Sequence, residues 1–464
     1  MLYTYTMMIL WLLIILPVLA IILSSIFKIS LQITGLWAMI LTLLHSFYII
    51  LVFNPYSGQF QFSYMGLGLD GISLTLVVLT AFIMPICFIV EPEQAAPMLL
   101  IEALLMAVFL VLDLMVFYLC FESVLVPLFY LMGKYQGRDR RLSAALALFL
   151  YTLGGSLVML IAIGVLYLEA STTHLQALLT VPLSASTQNL LFLAFLLAFA
   201  VKVPMIPLHL WLPEAHVEAP TGGSILLAAL ILKLGTYGFL RFVLPLFPLA
   251  TLNYQPYVAA LALVGVIYAG LTALRQVDIK KIIAYSSVAH MNLAMLGIFS
   301  NNLIALEGAI LMNIAHGLVS GALFYCIGAL YDRHHTRLVR YYRGLAATMP
   351  LFALFFLFFT LANVAFPGSA NFMGEFLIFT GIIQQNLLVT ILASTGMLLT
   401  ASYAMWLYNR IIFGSPSASI DHYNDLSRQD VIILLVLAIP TLWLGFYPNA
   451  VLELVHLDTL NLII

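Results

Sequence analysis

Apolar runs about twenty residues long follow one another along almost the whole chain. They lie at about 7–27, 33–53, 70–90, 97–115, 116–133, 142–168, 189–212, 222–248, 256–274, 280–300, 303–331, 349–385, 387–411 and 430–450. A helix needs about 20 apolar residues to cross the hydrocarbon of a bilayer. No water-soluble fold can hide so many such runs, because much of any globule's surface must face water. Composition agrees: 64% of the residues are hydrophobic and 8% charged, against roughly 25% charged in a soluble domain. The chain therefore reads as an all-α polytopic membrane protein with about 14 transmembrane helices. A net charge of −2 leaves no basic field for a nucleic-acid partner. Cys87, Cys120 and Cys326 lie far apart in apolar runs, which suggests neither a disulfide frame nor a metal or iron–sulfur site. No glycine fingerprint for a dinucleotide is present, so no cofactor is expected on this chain. The apolar start lacks a small-residue cleavage site, so the first run is expected to stay.

The run 97–133 holds 37 residues, about 55 Å of helix and too long for one crossing, so a split is expected near Val116. Basic residues then test the count. Of the 17 lysines and arginines, 14 fall in odd-numbered loops, namely Lys28, Lys134, Arg138, Arg140, Arg141, Arg275, Lys280, Lys281, Arg333, Arg337, Arg340, Arg343, Arg410 and Arg428. Lys202, Lys233 and Arg241 sit within spans 7 and 8. By the positive-inside rule the odd loops face the cytoplasm or a mitochondrial matrix, and both termini face the other side. This parity holds only if 349–385 crosses once, with a break at Pro367-Gly368. Span 7 carries a similar interruption at Pro204 and Pro207. Broken backbone at membrane depth survives only where protein or a wet cavity satisfies it. Two interrupted spans in corresponding halves point to a transport site. Spans 4–8 and 9–13 are read as two inverted five-helix repeats, with helices 7 and 12 discontinuous. The units are residues 1–96, 97–248, 249–411 and 412–464.

An ionisable group at the bilayer centre costs ~2.5–3.5 kcal/mol on insertion scales and marks function by default. Six stand out: Glu122, Lys202, Lys233, His290, His316 and Glu375. Asn313 and Ser320 share a helical face with His316. A buried Glu122–Lys202 pair can equally be a structural lock, and a lone histidine can be hydrogen-bonded filling. Asp113 either joins the Glu122 cluster or is simply wet at the end of its span. His209 is an auxiliary candidate. Glu214, His216 and Glu218 follow Pro213 in what reads as a loop, either a proton-collecting mouth or a solvated turn. Carboxylates, imidazoles and a desolvated lysine bind and release protons on burial, whereas arginine does not. The set of six contains no arginine, which favours proton relay over anion binding.

VKVPMIPLHLWLPEAHVEAPTGGSILLAALILKLGTYG, FYLCFESVLVPLFYLMGKYQG, LRQVDIKKIIAYSSVAHMN and FPGSANFMGEFLIF together resemble the antiporter-like membrane subunits of respiratory complex I, NADH:ubiquinone oxidoreductase. The wider family includes the Mrp-type cation/proton antiporters. The resemblance covers nearly the whole chain. It implies that Glu122 and Lys202 are the paired acid and base of a first half-channel and Lys233 the central lysine. His290 and His316 would link the centre to the second half-channel, and Glu375 would be the acid of broken helix 12. It further implies proton translocation in the mitochondrial inner membrane, with a bacterial plasma membrane as the alternative. Other membrane-arm subunits, above all neighbouring antiporter-like ones, and lipids are the implied partners. The FMN, iron–sulfur clusters and ubiquinone of such a complex would belong to other chains. A sodium/proton antiporter without redox coupling is the alternative function. Glu375 is expected where the second half-channel meets water.

Overall fold

The computed structural model describes residues 2–133, 139–416 and 424–463. Lys134 and Arg138, used above to orient the spans, lie outside the described residues. Among the described residues, twelve helices are long and apolar enough to cross a membrane. Two further passes, Ile279–Ile298 and the pair Pro350–Asn363 with Ala370–Gln385, bring the count to the fourteen expected. Among the described residues, a two-stranded hairpin departs from the all-helical pattern, Gln61–Tyr64 with Leu67–Leu69. Gly66 supplies the left-handed turn residue it needs, at φ +78°.

Two expectations are corrected. The long run divides at 111–113 rather than near Val116. Asp113 caps Leu114–Ser123, its Oδ1 accepting from the amides of Met115 and Val116 at 2.9 and 3.0 Å. A cap that satisfies two orphan amides starts the new helix earlier than apolarity suggests. The stretch holding Glu214, His216 and Glu218 is not a loop but the helix Trp211–Glu218. Pro213 falls in its first turn, where its missing N–H costs nothing.

Burial divides the spans into an axis and a shell. The best membrane-crossing windows of Thr221–Leu246 (span 8) and Leu303–His334 (span 11) are wholly buried, whereas that of Met8–Phe27 is 28% buried. A helix apolar all round belongs in the interior. The outer spans turn leucine and isoleucine outward, as Leu150, Ile161, Leu398 and Ile439 do. Span 12 packs on span 11 along glycines: Gly374 lies against Met312, and Gly308 against Leu377 and Ile378. Small residues let helices in a membrane approach closely.

Both interruptions fall where the prolines put them. Ala185–Lys202 and Trp211–Glu218 are separated by 203–210, and Pro350–Asn363 and Ala370–Gln385 by 364–369. The second break turns on Gly368, at φ +94°. A Cβ at Gly445 would run into the Gly368 carbonyl, so the last long helix, Arg428–Phe446, abuts this break.

Candidate proton-transfer site

Span 8 leaves regular α-helical geometry twice, with π turns at Leu227–Ile231 and Phe239–Val243. Such turns frequently mark functional positions. Lys233 sits between them with no exposure to solvent. Its Nζ donates to the Ala228 carbonyl at 2.7 Å and lies 2.8 Å from His316 Nδ1. Span 11 holds His316 in place: Ser320 donates to the His316 carbonyl, and Thr236 of span 8 donates to Asn313 Oδ1 at 3.3 Å. The His316 ring lies 5.8 Å from that of His290, centre to centre. His290 Nδ1 is 3.2 Å from Glu375 Oε1. Lys233, His316, His290 and Glu375 thus form one buried row drawn from spans 8, 11, 10 and 12. Nε2 of each histidine has no hydrogen-bond partner. Glu375 is only 5% exposed, and its partner is His290. It stands beyond the first turn of Ala370–Gln385, where helix-end amides no longer reach it.

Glu122 and Lys202 are brought to the same region but not into contact. Neither carboxylate oxygen of Glu122 has a hydrogen-bond partner, and nor does Lys202 Nζ. Lys202 instead places its ammonium 4.5 Å from the centre of the Phe121 ring. As the last residue of Ala185–Lys202 it also lies at the helix end that favours a cation. Span 8 passes close by. A Cβ at Gly235 would lie 3.1 Å from Lys202 Cβ and would clash with Val203.

The auxiliary residues divide. His209 is buried in the span 7 break between Tyr268 and Tyr285, with both ring nitrogens unpartnered. His216 is fully buried and stacks on Phe324 at 4.5 Å, again with both nitrogens unpartnered. Glu214 is exposed and pairs with Lys281 at 2.6 Å. Asp113 accepts from Thr173 as well as from its helix amides, so it is committed to capping.

The sequence reading gave three buried charges no role. Arg241 makes a two-pronged bond to Asp70, at 2.7 and 2.6 Å, and donates to Tyr237 at 3.0 Å. Glu102 accepts from Thr42 at 2.6 Å with no solvent exposure. Lys280, counted above as a loop residue, is buried and donates to the Ala219 carbonyl. Adjacent lysines on a helix point about 100° apart. Asp278 caps this helix, and of the two lysines Lys280 turns inward while Lys281 reaches the exposed Glu214.

Two broken spans around a buried axis of lysine, histidine and glutamate define an antiporter-like membrane subunit. The family model described as NADH:quinone oxidoreductase/Mrp antiporter, TM matches residues 111–400. NADH-ubiquinone oxidoreductase chain 4 of Marchantia polymorpha is 49% identical over 448 residues, covering 92% of this chain and 90% of that protein. Among solved structures, a chain of respiratory complex I from Thermus thermophilus with bound NADH superposes with a TM-score of 0.88 at 29% identity, over 98% of this chain and 99% of that one. A chain of the Mrp complex from Dietzia sp. DQ12-45-1b shares the fold, with a TM-score of 0.87 at 19% identity over 99% and 98%. The chain belongs to the NADH:quinone oxidoreductase/Mrp antiporter membrane family.

Proposed function

We infer that this chain is a proton-translocating membrane-arm subunit of a mitochondrial NADH:ubiquinone oxidoreductase, of the chain-4 type. The observation that carries the residue-level reading is the row Lys233–His316–His290–Glu375 inside the two least exposed spans and their neighbours. A proton crosses hydrocarbon only by hopping between groups that bind and release it. Lys233 and His316 are close enough to share one, and so are His290 and Glu375. Water at the free Nε2 atoms would bridge the two histidines. Glu122 and Lys202 form a switch ahead of the row. Apart, as here, Lys202 is free to yield its proton toward Lys233. Paired, it holds the proton.

Residues 97–248 would form the first half-channel and 249–411 the second, inverted one. Redox chemistry, with FMN, iron–sulfur clusters and ubiquinone, belongs to other subunits. Neighbouring antiporter-like subunits and lipid would cover the apolar exterior. Moving one charge against 100 mV requires ~2.3 kcal/mol, which the opening and closing of a buried ion pair can supply. The high identity to a chain-4 relative favours redox coupling over a free-standing sodium/proton antiporter.

The test is Glu375→Gln in the assembled complex. Quinone-linked proton pumping should fall at least about tenfold, ~1.4 kcal/mol, while NADH oxidation by an artificial acceptor upstream of quinone stays normal. An assembled variant pumping at the normal rate and ratio would remove Glu375 from the route.

A further inference from the structure

Span 8 ends, on the side away from the basic loops, in an ion pair that the route above leaves unused. Arg241 sits in the second π turn, Phe239–Val243, and is buried. Its guanidinium donates to both oxygens of Asp70, to Ser73 Oγ at 2.6 Å and to Tyr237 Oη at 3.0 Å. Its central carbon lies 4.9 Å from the centre of the Phe60 ring. Asp70 is as fully committed, because its Oδ1 also accepts from the Ser73 amide and hydroxyl at 2.8 and 2.7 Å. Tyr237 in turn donates to the Phe109 carbonyl at 3.0 Å. Among the described residues, none of these four side chains leaves a buried polar atom unpaired.

Beyond the pair lies an open cavity of about 800 Å³, bordered by Asp70 and Arg241 and walled by Phe60, Gln176, Asp458 and Asn461. Bulk water entering it stands about two helical turns, ~12 Å, from Lys233. The space between is filled by rings. Phe109 meets Tyr237 edge-on at 5.2 Å, and Phe117 lies 4.5 Å from Phe242. Phe199 fills the notch at Gly238, where a Cβ would lie 2.4 Å from its ring. A proton on Lys233 therefore meets opposite conditions in two directions. Toward span 11 it finds an imidazole nitrogen at 2.8 Å. Toward the cavity it finds aromatic rings and then a guanidinium. A proton chain continues only through groups that both take up and release protons, and arginine does not release its own. Arginines also help exclude protons from other membrane pores.

We propose that the Arg241–Asp70 pair is an insulating plug at the outer end of span 8. It stops Lys233 from exchanging protons with water in the cavity and so commits them to His316. The proposal rests on the reading that Lys233 carries protons. Without the plug, the acidic outer water would load Lys233 from the wrong side, and protons already pumped would run back.

The test is Arg241→Ala in the assembled complex, reconstituted in vesicles. Passive proton flux under an imposed pH gradient, without NADH, should rise about threefold or more over that of the wild-type complex. Electron transfer from NADH to an upstream artificial acceptor should be unchanged. Adding Lys233→Met to Arg241→Ala should return the passive flux to the wild-type level. A tight Arg241→Ala complex would overturn the plug. So would a leak that Lys233→Met leaves in place, because the pair would then guard some other path. If Arg241→Ala does not assemble, Arg241→Lys takes the same test. It keeps a positive charge beside Asp70 but can release a proton, so about a twofold leak is expected, and a tight complex would again overturn the plug. Lys233→Met alone separates the failures. If it stops pumping while Arg241→Ala stays tight, only the plug falls. If it pumps normally, the role of Lys233 falls as well.

Discussion

The two broken spans solve the same problem in opposite ways. Span 7 ends its first half on Lys202, whose ammonium rests on the Phe121 ring without a hydrogen bond, apart from Glu122. Span 12 starts its second half with Glu375 one turn in, already tied to His290 at 3.2 Å. The surroundings match. Lys202 sits in an aromatic cluster, with Phe121, Phe117 and Phe199 ring against ring. Glu375 lies within electrostatic reach of Tyr403, and Asn371, one turn before it, leaves both buried amide atoms unpartnered. One break is therefore an open switch in apolar surroundings, and the other is joined to a row of exchangeable groups. A cation over aromatic faces tolerates a dry site, whereas a buried carboxylate needs a partner.

Among substitutions, the largest effect belongs to the centre that the two breaks share. Lys233→Met should lower proton-coupled quinone reduction by a hundredfold or so, ~2.7 kcal/mol, because Lys233 touches His316 directly and borders both halves. Turnover with ubiquinone in reconstituted vesicles measures it. Next come Lys202→Met and Glu122→Gln, each removing most of the coupled activity, on the order of tenfold. Glu122→Asp should keep part of it. The double variant should lose little more than either single one, since groups acting as one unit are non-additive. Losses that simply add would make the pair two independent structural charges. Gly235→Ala is a finer probe, forcing Cβ against Val203 and Lys202. It should cost about 1–3 kcal/mol of stability and slow pumping with both charges intact, as read by thermal inactivation and vesicle assays together. The smallest effect is Asp113→Ala. Losing that cap should cost about 1 kcal/mol of stability and leave pumping per electron unchanged, which sets it apart from Glu122 nearby in sequence.

Much of this was legible in the sequence because membranes impose simple rules. Apolar length and loop charge gave the passes, and a parity argument called for a break within residues 349–385, which falls at 364–369. Lys233, His316, His290 and Glu375 stood out because each is costly in hydrocarbon, and they do come together. What stayed hidden depends on partners distant in sequence. Arg241 looks like a charge near the end of its span until Asp70 appears opposite it. Lys280 looks like a loop lysine until Ala219 is found above it. Tyr403 is an ordinary residue for a membrane helix, and only its buried hydroxyl without a hydrogen bond singles it out. Asp113 read either as part of the Glu122 cluster or as a wet residue at its span end, and its capping of the next helix shows only once that helix start is seen.

On the proposed route, protons leave the switch at Lys202 through Lys233 and His316 toward Glu375. The most direct measurement is the number of protons pumped per NADH oxidised in vesicles holding the assembled complex with His316→Ala. Nδ1 of His316 is the hydrogen-bonding neighbour of Lys233 on this path, and its ring faces His290. Pumping through this subunit should be lost, with a lower proton count per NADH or a stalled complex, while electron entry from NADH to an upstream acceptor is unchanged. A His316→Ala complex that pumps the wild-type number of protons at the wild-type rate would contradict it.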